Sequence, residues 1–333
     1  MDIRITRGRV GAMLAGGGAV FAIAAVGFSG MATTASAKRA TQASKYSVAF
    51  VPGATGVGFY NTMADGIKAE ARKLGMGYST EGSPDFTPSA QTPVVDAVCT
   101  RHPSILLVAP TDPVAMRPAI AKCMSEGIKV VTVDTGLTNT KGLVSAITSD
   151  NIQGGEAGGK LIAKLLHGKG QVALMSLSAT ATTQVERLDG ARKALKAYPG
   201  IKIVATEYTQ QATSSSVSTA EALLSAHPGI KAFFGAAEPN AEGTAQALHG
   251  KKGIYVVGYD GDPPEVQLVK EGKLAATILQ QPALEGQLGV EYGHDALTGK
   301  TKQIKKSVKL SNVLLTTAVA KSGKDKKYYY AAG

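Results

Sequence analysis

The chain has 333 residues, of which 44% are hydrophobic, and its formal charge is +11 at pH 7. This composition excludes a disordered or fibrous protein, and the length exceeds what one hydrophobic core normally spans, so two domains are expected. The lysines are scattered, with the densest groups at 300–309 and 321–327. We interpret the positive charge as a solvated basic face rather than a nucleic-acid or anionic-surface site.

Residues 1–37 have the features of a secretory signal peptide. Three arginines precede an Ala/Gly-rich apolar run at 10–28, and residues 35–37 form a small-residue A-x-A site. An uncleaved membrane anchor is the alternative, but the glycines of the run and the A-x-A site favour cleavage before Lys38. Cleavage would lower the formal charge from +11 to +9 by removing three Arg and one Asp. The mature protein would then be exported to the periplasm, or to the cell surface in an organism without an outer membrane.

Short apolar strands alternate with helical segments along the rest of the chain. The first series, beginning and ending with a strand, is expected at 46–51, 59–74, 76–80, 89–101, 105–109, 114–125, 128–133 and 143–147. The second series, beginning with a helix, is expected at 152–166, 171–176, 182–197, 201–208, 216–226, 230–235, 239–248, 255–257, 264–271, 274–279 and 283–297, with an extended stretch at 306–315. Such alternation is typical of doubly wound parallel sheets.

The restart near Asn151 predicts two α/β lobes with doubly wound parallel sheets, joined by a three-segment hinge. The N-terminal lobe would comprise 46–150 plus 282–310, and the C-terminal lobe 151–281 plus 311–333. A cleft between two such lobes is a common place for a ligand.

Cys99 and Cys123 are the two cysteines of the chain. Each lies on a predicted helix, and the two helices flank the strand at 105–109. Right-handed crossovers place such helices side by side, and export places them in an oxidising compartment, so a disulfide is predicted. Two buried thiols are the alternative, and two cysteines without nearby histidines make a poor zinc site.

The glycine-rich loop at 53–58 invites comparison with nucleotide-binding loops. Its G-x-x-G-x-G spacing resembles the dinucleotide fingerprint without matching it, although Glu81 lies near the place of the acid that such sites need. The sequence has no Walker A loop and no G-x-S-x-G elbow. Four of the five histidines adjoin Pro or Gly at element ends, and none lies near a candidate nucleophile. We therefore predict no catalytic residue, no metal and no cofactor.

Polar and aromatic side chains recur where predicted strands end, which is where open α/β sheets bind ligands. The positions that share this placement are Phe59, Tyr60, Asp112, Asp134, Glu238, Tyr259, Asp260 and Gln280. Singly they have ordinary explanations, such as a helix N-cap for Asp112 and turn positions for Asp134 and Asp260. Together they predict a hydroxyl-rich ligand, because carboxylates and amides hold hydroxyls and aromatic faces stack on the C–H faces of a sugar ring.

Over about 46–319 the chain resembles type I periplasmic binding proteins, the ribose/galactose group that serves ABC importers. The motifs that carry the resemblance are DGI and KLG (65–67 and 73–75), VAPTD (108–112), VVTVD (130–134), TSDNIQGG (148–155), SAHPGIKAFF (225–234), VVGYDG (256–261) and GKLAATILQQP (272–282). The resemblance implies a monomer that closes two lobes on a small neutral ligand and hands it to an ABC permease. Repressors that share this fold carry a DNA-binding helix-turn-helix where this chain has its leader, so no nucleic-acid partner is expected.

The resemblance also implies which residues form the site. The aromatic pair Phe59-Tyr60, the acids Asp134 and Asp260, and Gln280 match the family pattern. Four other positions depart from that pattern. Val57 and Ala237 stand where the family has asparagine, and Thr135 and Val185 stand where it has arginine.

These departures affect the expected ligand. Arg187 and Arg192 lie near Val185, and Glu238 follows Ala237. Each missing arginine would remove a charge-assisted pair of about 1.5–3 kcal/mol. The comparison therefore predicts a ligand with fewer hydroxyls than ribose, such as a deoxy sugar, a small polyol or a furanone-like signal molecule.

An exported solute-binding protein for a small sugar-like ligand is the function that the sequence predicts. Two alternatives use the same cleft. One is a sensory protein that presents a signal molecule to a membrane receptor, and the other is an exported enzyme, which lacks a recognisable activated group.

Overall fold

The computed structural model describes residues 44–332, and the predicted signal segment at 1–37 lies outside the described residues. The strands are β1 Ser47–Val51, β2 Gly77–Thr80, β3 Ile105–Val108, β4 Lys129–Val133, β5 Ser145–Ser149, β6 Lys169–Ser176, β7 Gly200–Tyr208, β8 Ile230–Gly235, β9 Tyr255–Tyr259, β10 Ala276–Leu279, β11 Ser307–Leu310 and β12 Val313–Thr316. The α-helices are α1 Gly58–Lys73, α2 Pro88–Thr100, α3 Arg117–Ser125, α4 Asn151–Leu165, α5 Thr182–Lys196, α6 Thr213–Ala226, α7 Glu238–Ala247, α8 Pro263–Glu271, α9 Pro282–Thr298 and α10 Thr317–Ser322.

The strands form two six-stranded sheets. Their orders are β11-β5-β4-β3-β1-β2 and β12-β10-β9-β8-β6-β7. Neighbouring strands are parallel except β10 and β12, which pair antiparallel. The predicted architecture of two α/β lobes with parallel sheets is therefore confirmed. We call the lobe of the first sheet lobe one and the other lobe two.

Three chain segments cross between the sheets, after β5, after β10 and between β11 and β12. Hydrogen bonds tie these crossings together. Asp150 N donates to Leu310 O at 2.7 Å, Asn312 Nδ2 donates to Asp150 O at 2.7 Å, and Gln281 Nε2 donates to Ser311 O at 2.9 Å. Because the three crossings are bonded to one another, the lobes are connected by one narrow hinge.

Helix α1 shows how the sequence directs one side of an element to the core. Met63, Ile67 and Ala71 recur every four residues and are completely buried against the first sheet. Arg72 and Lys73 occupy the last turn, where cations complement the helix dipole. Gly75 then adopts φ +66°, which favours glycine and ends the helix.

Helix α3 begins at Arg117, three residues after the predicted start at 114. The reason is Asp112, whose Oδ1 accepts hydrogen bonds from Val114 N at 2.9 Å and Ala115 N at 2.8 Å. This side chain forms a turn of its own before the helix.

A disulfide joins Cys99 on α2 to Cys123 on α3, with a Cα–Cα distance of 5.5 Å. Both residues are buried in the layer of side chains between these helices and the first sheet. The bond therefore fastens two consecutive crossover helices of lobe one.

Candidate functional site

A cavity lies between the carboxyl ends of the two sheets. The space between its walls amounts to about 440 Å³, including the part that opens to solvent. Its lining residues are Val57, Phe59, Tyr60, Phe86 and Asp134 from lobe one, Leu177, Thr183, Gln184, Arg187, Gln211, Ala237, Glu238, Pro239 and Asp260 from lobe two, and Gln280 at the hinge.

The lobe-one wall is formed by the start of α1 and the end of β4. Phe59 and Tyr60 meet edge to face, with ring centroids 5.2 Å apart. Tyr60 Oη donates a hydrogen bond to Asp134 Oδ2 at 2.8 Å. Asp134 adopts φ +60°, a left-handed conformation, directly after β4 ends. The wall thus combines two aromatic rings with one oriented carboxylate.

Protonation of Asp134 depends on its burial. The side chain is 6% exposed, and removal from water raises its pKa to about 6, against the opposing effects of Arg187 and the Tyr60 hydrogen bond. Asp134 is therefore mostly ionised at neutral pH and can accept hydrogen bonds from a ligand.

Arg187 is the central cation of the lobe-two wall. It lies on α5, is 3% exposed, and stacks its guanidinium 3.9 Å from the centroid of the Tyr259 ring. Its Nε donates to Asn151 Oδ1 and its Nη1 to Ala236 O, both at 2.9 Å. Burial alone would lower the pKa of Arg187, but Tyr259, Asp260 and Asp134 outweigh it and raise that pKa. A permanently charged donor is thus held rigidly at the cavity.

Close packing of two helices places this arginine. Glycines of α4 face α5, and a Cβ on Gly155 would collide with the backbone of Arg187 itself. Because the glycine leaves this space open, α4 can approach the turn of α5 that carries Arg187.

Asp260 links three parts of the lobe-two wall. Its Oδ2 accepts a hydrogen bond from Glu238 N at 3.3 Å and lies 3.9 Å from Arg187 Nη1. Its Oδ1 accepts a short hydrogen bond from Gln280 Nε2. Asp260 has φ +99°, so both site aspartates leave their strands with unusual backbone geometry.

Carboxyl groups crowd this side of the cavity. Burial, followed by the nearby Asp262, raises the pKa of Glu238 to about 9, so this side chain is protonated at neutral pH. Burial and the nearby Asp260 raise the pKa of Asp262 to about 7. A protonated Glu238 can donate a hydrogen bond as well as accept one.

Three residues predicted to bind ligand do not line the cavity. Tyr259 is still within β9, so its side chain packs beneath Arg187 and against α4 near Gly154, whereas Asp260 follows the strand and faces the cavity. Thr135 is buried and is absent from the lining of the cavity. Val185 on α5 is also absent from the lining of the cavity.

The position of Arg187 bears on the inference that the site has lost positive charge. One of the two arginines counted as missing is supplied by Arg187, two residues further along α5. Gln184 and Arg187 are three residues apart and share a helix face, so both reach the cavity. The signal was available in the sequence, because α5 follows the carboxyl end of β6.

Other lining residues carried weaker sequence signals. Phe86 and Gln211 lie on loops after β2 and β7, where no periodic pattern fixes the direction of a side chain. Predicted positions Val57, Ala237 and Glu238 do line the cavity.

The described residues also bear on metal binding and on membrane spanning. Among residues 44–332, no group of three or more His, Cys, Asp or Glu side chains has an arrangement that could hold a metal ion. In the same part of the chain, no helix is long and apolar enough to span a bilayer.

Comparison with known proteins identifies the family. Residues 48–301 match the model of the periplasmic binding protein domain. The chain belongs to the periplasmic binding protein family. It is 34% identical over 259 residues to the ribose import binding protein RbsB of Salmonella typhimurium, a match that covers 77% of this chain and 86% of that protein.

Solved structures of solute-binding proteins of ABC transporters share this fold. One from Agrobacterium vitis, bound to α-D-tagatopyranose, has a TM-score of 0.83 and 28% identity, covering 86% of this chain and all of the other. A second from the same organism, bound to D-fucose, has a TM-score of 0.79 and 26% identity, covering 85% and 100% of the two chains.

In this periplasmic binding protein the lobes touch across the cleft. Gly136 N of lobe one donates to Thr182 Oγ1 of lobe two at 2.9 Å. Lys309 Nζ, on the edge strand of the first sheet, lies 3.6 Å from Glu186 Oε1 on α5. The cleft is therefore closed, and its walls are close enough for one small ligand to contact both lobes.

Proposed function

We propose that the cleft binds one small, neutral, hydroxylated ligand, a monosaccharide or a related polyol, and delivers it to an ABC permease. The observation that carries this proposal is the pair Asp134 and Asp260, which come from opposite lobes and face one cavity together with Arg187. Carboxylates accept hydrogen bonds from hydroxyls and a guanidinium donates to ring or hydroxyl oxygens. A ligand with several hydroxyls can satisfy all three groups.

The aromatic pair supports the same ligand class. Phe59 and Tyr60 present ring surface to the cavity, and such surface packs on the C–H face of a sugar ring. A ligand held between these rings and the charged groups of lobe two contacts both lobes. Its binding therefore favours the closed state, because it gains contacts there that the open state lacks.

The cavity also bears on which sugars fit. Arg187 supplies a charged donor that can bind a hydroxyl, so a fully hydroxylated ligand can fit on that side. Val57 and Ala237 are apolar parts of the lining. We propose a pentose or hexose with one poorly hydroxylated edge directed at these two residues. The ribose, tagatopyranose and D-fucose named for the similar proteins support a ligand of this size.

The proposed function also implies where the protein acts and with which partners. We propose that the mature protein is exported, acts as a monomer, and has a membrane permease and no nucleic acid as its partner. The names of the relatives support import rather than sensing. Proteins of this family act by binding, so no chemical step is proposed.

Isothermal titration of residues 38–333 with a panel of sugars tests the proposal. The panel comprises D-ribose, D-allose, D-tagatose, D-fucose and myo-inositol, and at least one should bind with a Kd in the micromolar range or below. Asp260→Ala should weaken that binding at least tenfold, because a charge-assisted hydrogen bond contributes about 1.5–3 kcal/mol. Absence of binding to every sugar and polyol, by a folded protein, would overturn the proposal.

A further inference from the structure

The last residues of the chain lie across both lobes. After β12 and α10, which belong to lobe two, the segment Tyr328–Ala332 continues to the start of α1 in lobe one. Ala331 N donates to Thr62 Oγ1 at 2.7 Å, and Asn61 Nδ2 donates to Ala332 O at 3.0 Å. The chain thus makes a fourth connection between the lobes, through non-covalent contacts.

Tyr330 is the centre of this segment and is 5% exposed. Its ring meets Phe59 edge to face, with centroids 5.6 Å apart, so it packs behind an aromatic residue of the lobe-one wall. Its Oη accepts a hydrogen bond from Gln280 N at 3.2 Å and donates to Asp260 Oδ1 at 3.3 Å. One side chain therefore contacts ligand-site residues from lobe one, from lobe two and from the hinge.

The segment is anchored more firmly in lobe two than in lobe one. Tyr330 N donates to Gly261 O at 3.0 Å, directly after Asp260. Tyr328 and Tyr329 pack on the core of lobe two, and Lys270 Nζ of α8 lies 5.8 Å from the centroid of the Tyr329 ring. Opening of the cleft would therefore break the contacts of the segment with Asn61, Thr62 and Phe59, and leave it on lobe two.

We propose that Tyr328–Ala332 is a strap that holds the cleft closed, and that Tyr330 is a positioning residue for Asp260 and Gln280. The segment lies beyond residue 301, where the match to the family model ends. Tyr330 does not line the cavity, so it acts on a ligand through the carboxylate and the amide that it contacts. The part that concerns ligand affinity rests on the proposed function, and the part that concerns closure does not.

The expected size of the effect follows from the contacts. Two hydrogen bonds and one aromatic pair with lobe one favour the closed state by about tenfold or more over a chain without the strap. A protein that is closed less often binds its ligand more weakly, by up to the same factor. Because the contacts form only in the closed state, their loss should speed ligand release more than it slows capture.

Small-angle X-ray scattering without ligand tests closure by itself. A chain that ends at Tyr329 should have a larger radius of gyration than the full mature chain. The double variant Asn61→Ala with Thr62→Val removes the lobe-one hydrogen bonds of the strap while leaving the tail in place, and it should shift the radius in the same direction. If truncation prevents folding, the double variant alone tests the proposal. An unchanged radius of gyration in the double variant would show that the segment does not hold the cleft closed.

Ligand kinetics test the positioning role, with the sugar that binds most tightly in the panel above. Tyr330→Phe keeps the ring and the backbone contacts, so its radius of gyration should match the wild type while its Kd rises about three- to tenfold. Its melting temperature should fall slightly, because Gln280 N loses a buried acceptor. The truncated chain should release ligand about tenfold faster. Wild-type Kd in Tyr330→Phe would overturn the positioning role, and a full chain that binds no sugar would instead reject the proposed function.

Discussion

Lobe one and lobe two use the same scaffold to present different chemistry. Asp134 follows β4 and Asp260 follows β9, and these strands hold the same place in their sheet orders. A fully buried glutamate lies behind each aspartate. Glu285 accepts a hydrogen bond from Asp134 N at 3.0 Å, and Glu265 Oε1 lies 3.0 Å from the Thr277 hydroxyl, which also reaches Asp260 O.

The surroundings of the two aspartates differ. In lobe one the carboxylate is held by the phenol of Tyr60 beside the Phe59 ring. In lobe two it is held by the guanidinium of Arg187, the amide of Gln280 and the backbone of Glu238. One fold can thus supply a stacking surface from one side of a cleft and charged groups from the other, and a ligand needs both.

Removal of Arg187 should have the largest effect on lobe two. Arg187→Ala would leave Asp260, Asn151 Oδ1 and Ala236 O without their buried partner, so we expect a loss of about 3–5 kcal/mol in stability together with loss of ligand binding. Urea unfolding measures the first and calorimetric titration the second. Arg192→Ala is the matched control, because this arginine on the same helix is 39% exposed in its ion pair with Asp189 and should contribute less than about 1 kcal/mol.

Loss of the disulfide should destabilise lobe one without affecting the ligand. Cys99→Ser with Cys123→Ser removes a cross-link between residues 24 apart in sequence, which is expected to cost about 3 kcal/mol. The measurement is the urea midpoint of the double variant against that of the wild type. Because the bond lies on the side of the sheet that carries α2 and α3, sugar affinity should stay within about twofold, and a large loss of affinity would show that the disulfide helps to shape the lobe-one wall.

The pH dependence of stability should report the buried Glu285. Burial and the nearby Asp134 raise the pKa of Glu285 to about 8, so the folded protein binds this proton more tightly than the unfolded chain does. Its stabilising contribution is then fully present below pH of about 4.5 and is lost as pH rises through 8. We expect the free energy of unfolding to fall between pH 5 and pH 8 by about 3–4 kcal/mol through this group.

Glu285→Gln should flatten that fall. The amide can still accept from Asp134 N and can donate to Ser149 Oγ, which bonds to Glu285 Oε1 at 2.8 Å. Glu81→Gln, on an exposed side chain, controls for the loss of one carboxylate. An equally steep profile in Glu285→Gln would contradict the assignment.

A methyl group added at Gly58, where the lobes meet, should weaken ligand binding less than the loss of Arg187 does. A Cβ on Gly58 would collide with Asp262 Oδ1 and lie 2.6 Å from Ala331 O, both of which move away when the cleft opens. Gly58→Ala should therefore weaken sugar binding about tenfold by disfavouring closure, without lowering the melting temperature. Gly77→Ala is the control, because its Cβ would meet the nearest atom at 3.6 Å. Equal affinities in the two variants would contradict a collision at Gly58 in the closed state.

The sequence predicted the fold and much of the site for physical reasons. Strands of four to six apolar residues, each followed by a polar residue, identify the ligand edge of a parallel sheet, and this rule found Asp134, Asp260 and Gln280. The rule did not place Tyr259 correctly. Tyr259 is the last residue of β9, where side chains still alternate between the two faces of the sheet, and its ring packs beneath Arg187.

Residues that reach the site from helices and from the tail were harder to predict. The position on α5 was sought at Val185, and a shift of two residues turns a side chain to another face of a helix, so Arg187 was noted without being assigned. Tyr330 lies after the last strand, where no periodic pattern indicates which lobe a segment will contact. Its role could be recognised only from its contacts.

Calorimetric titration of the tightest-binding sugar into wild type, Asp134→Asn and Asp260→Asn tests the central claim most directly. Asparagine preserves the shape of each side chain and removes the charge, so each variant should bind at least tenfold more weakly, since each lobe supplies one charge-assisted acceptor. Unchanged affinity in either variant would contradict a site that holds its ligand from both lobes.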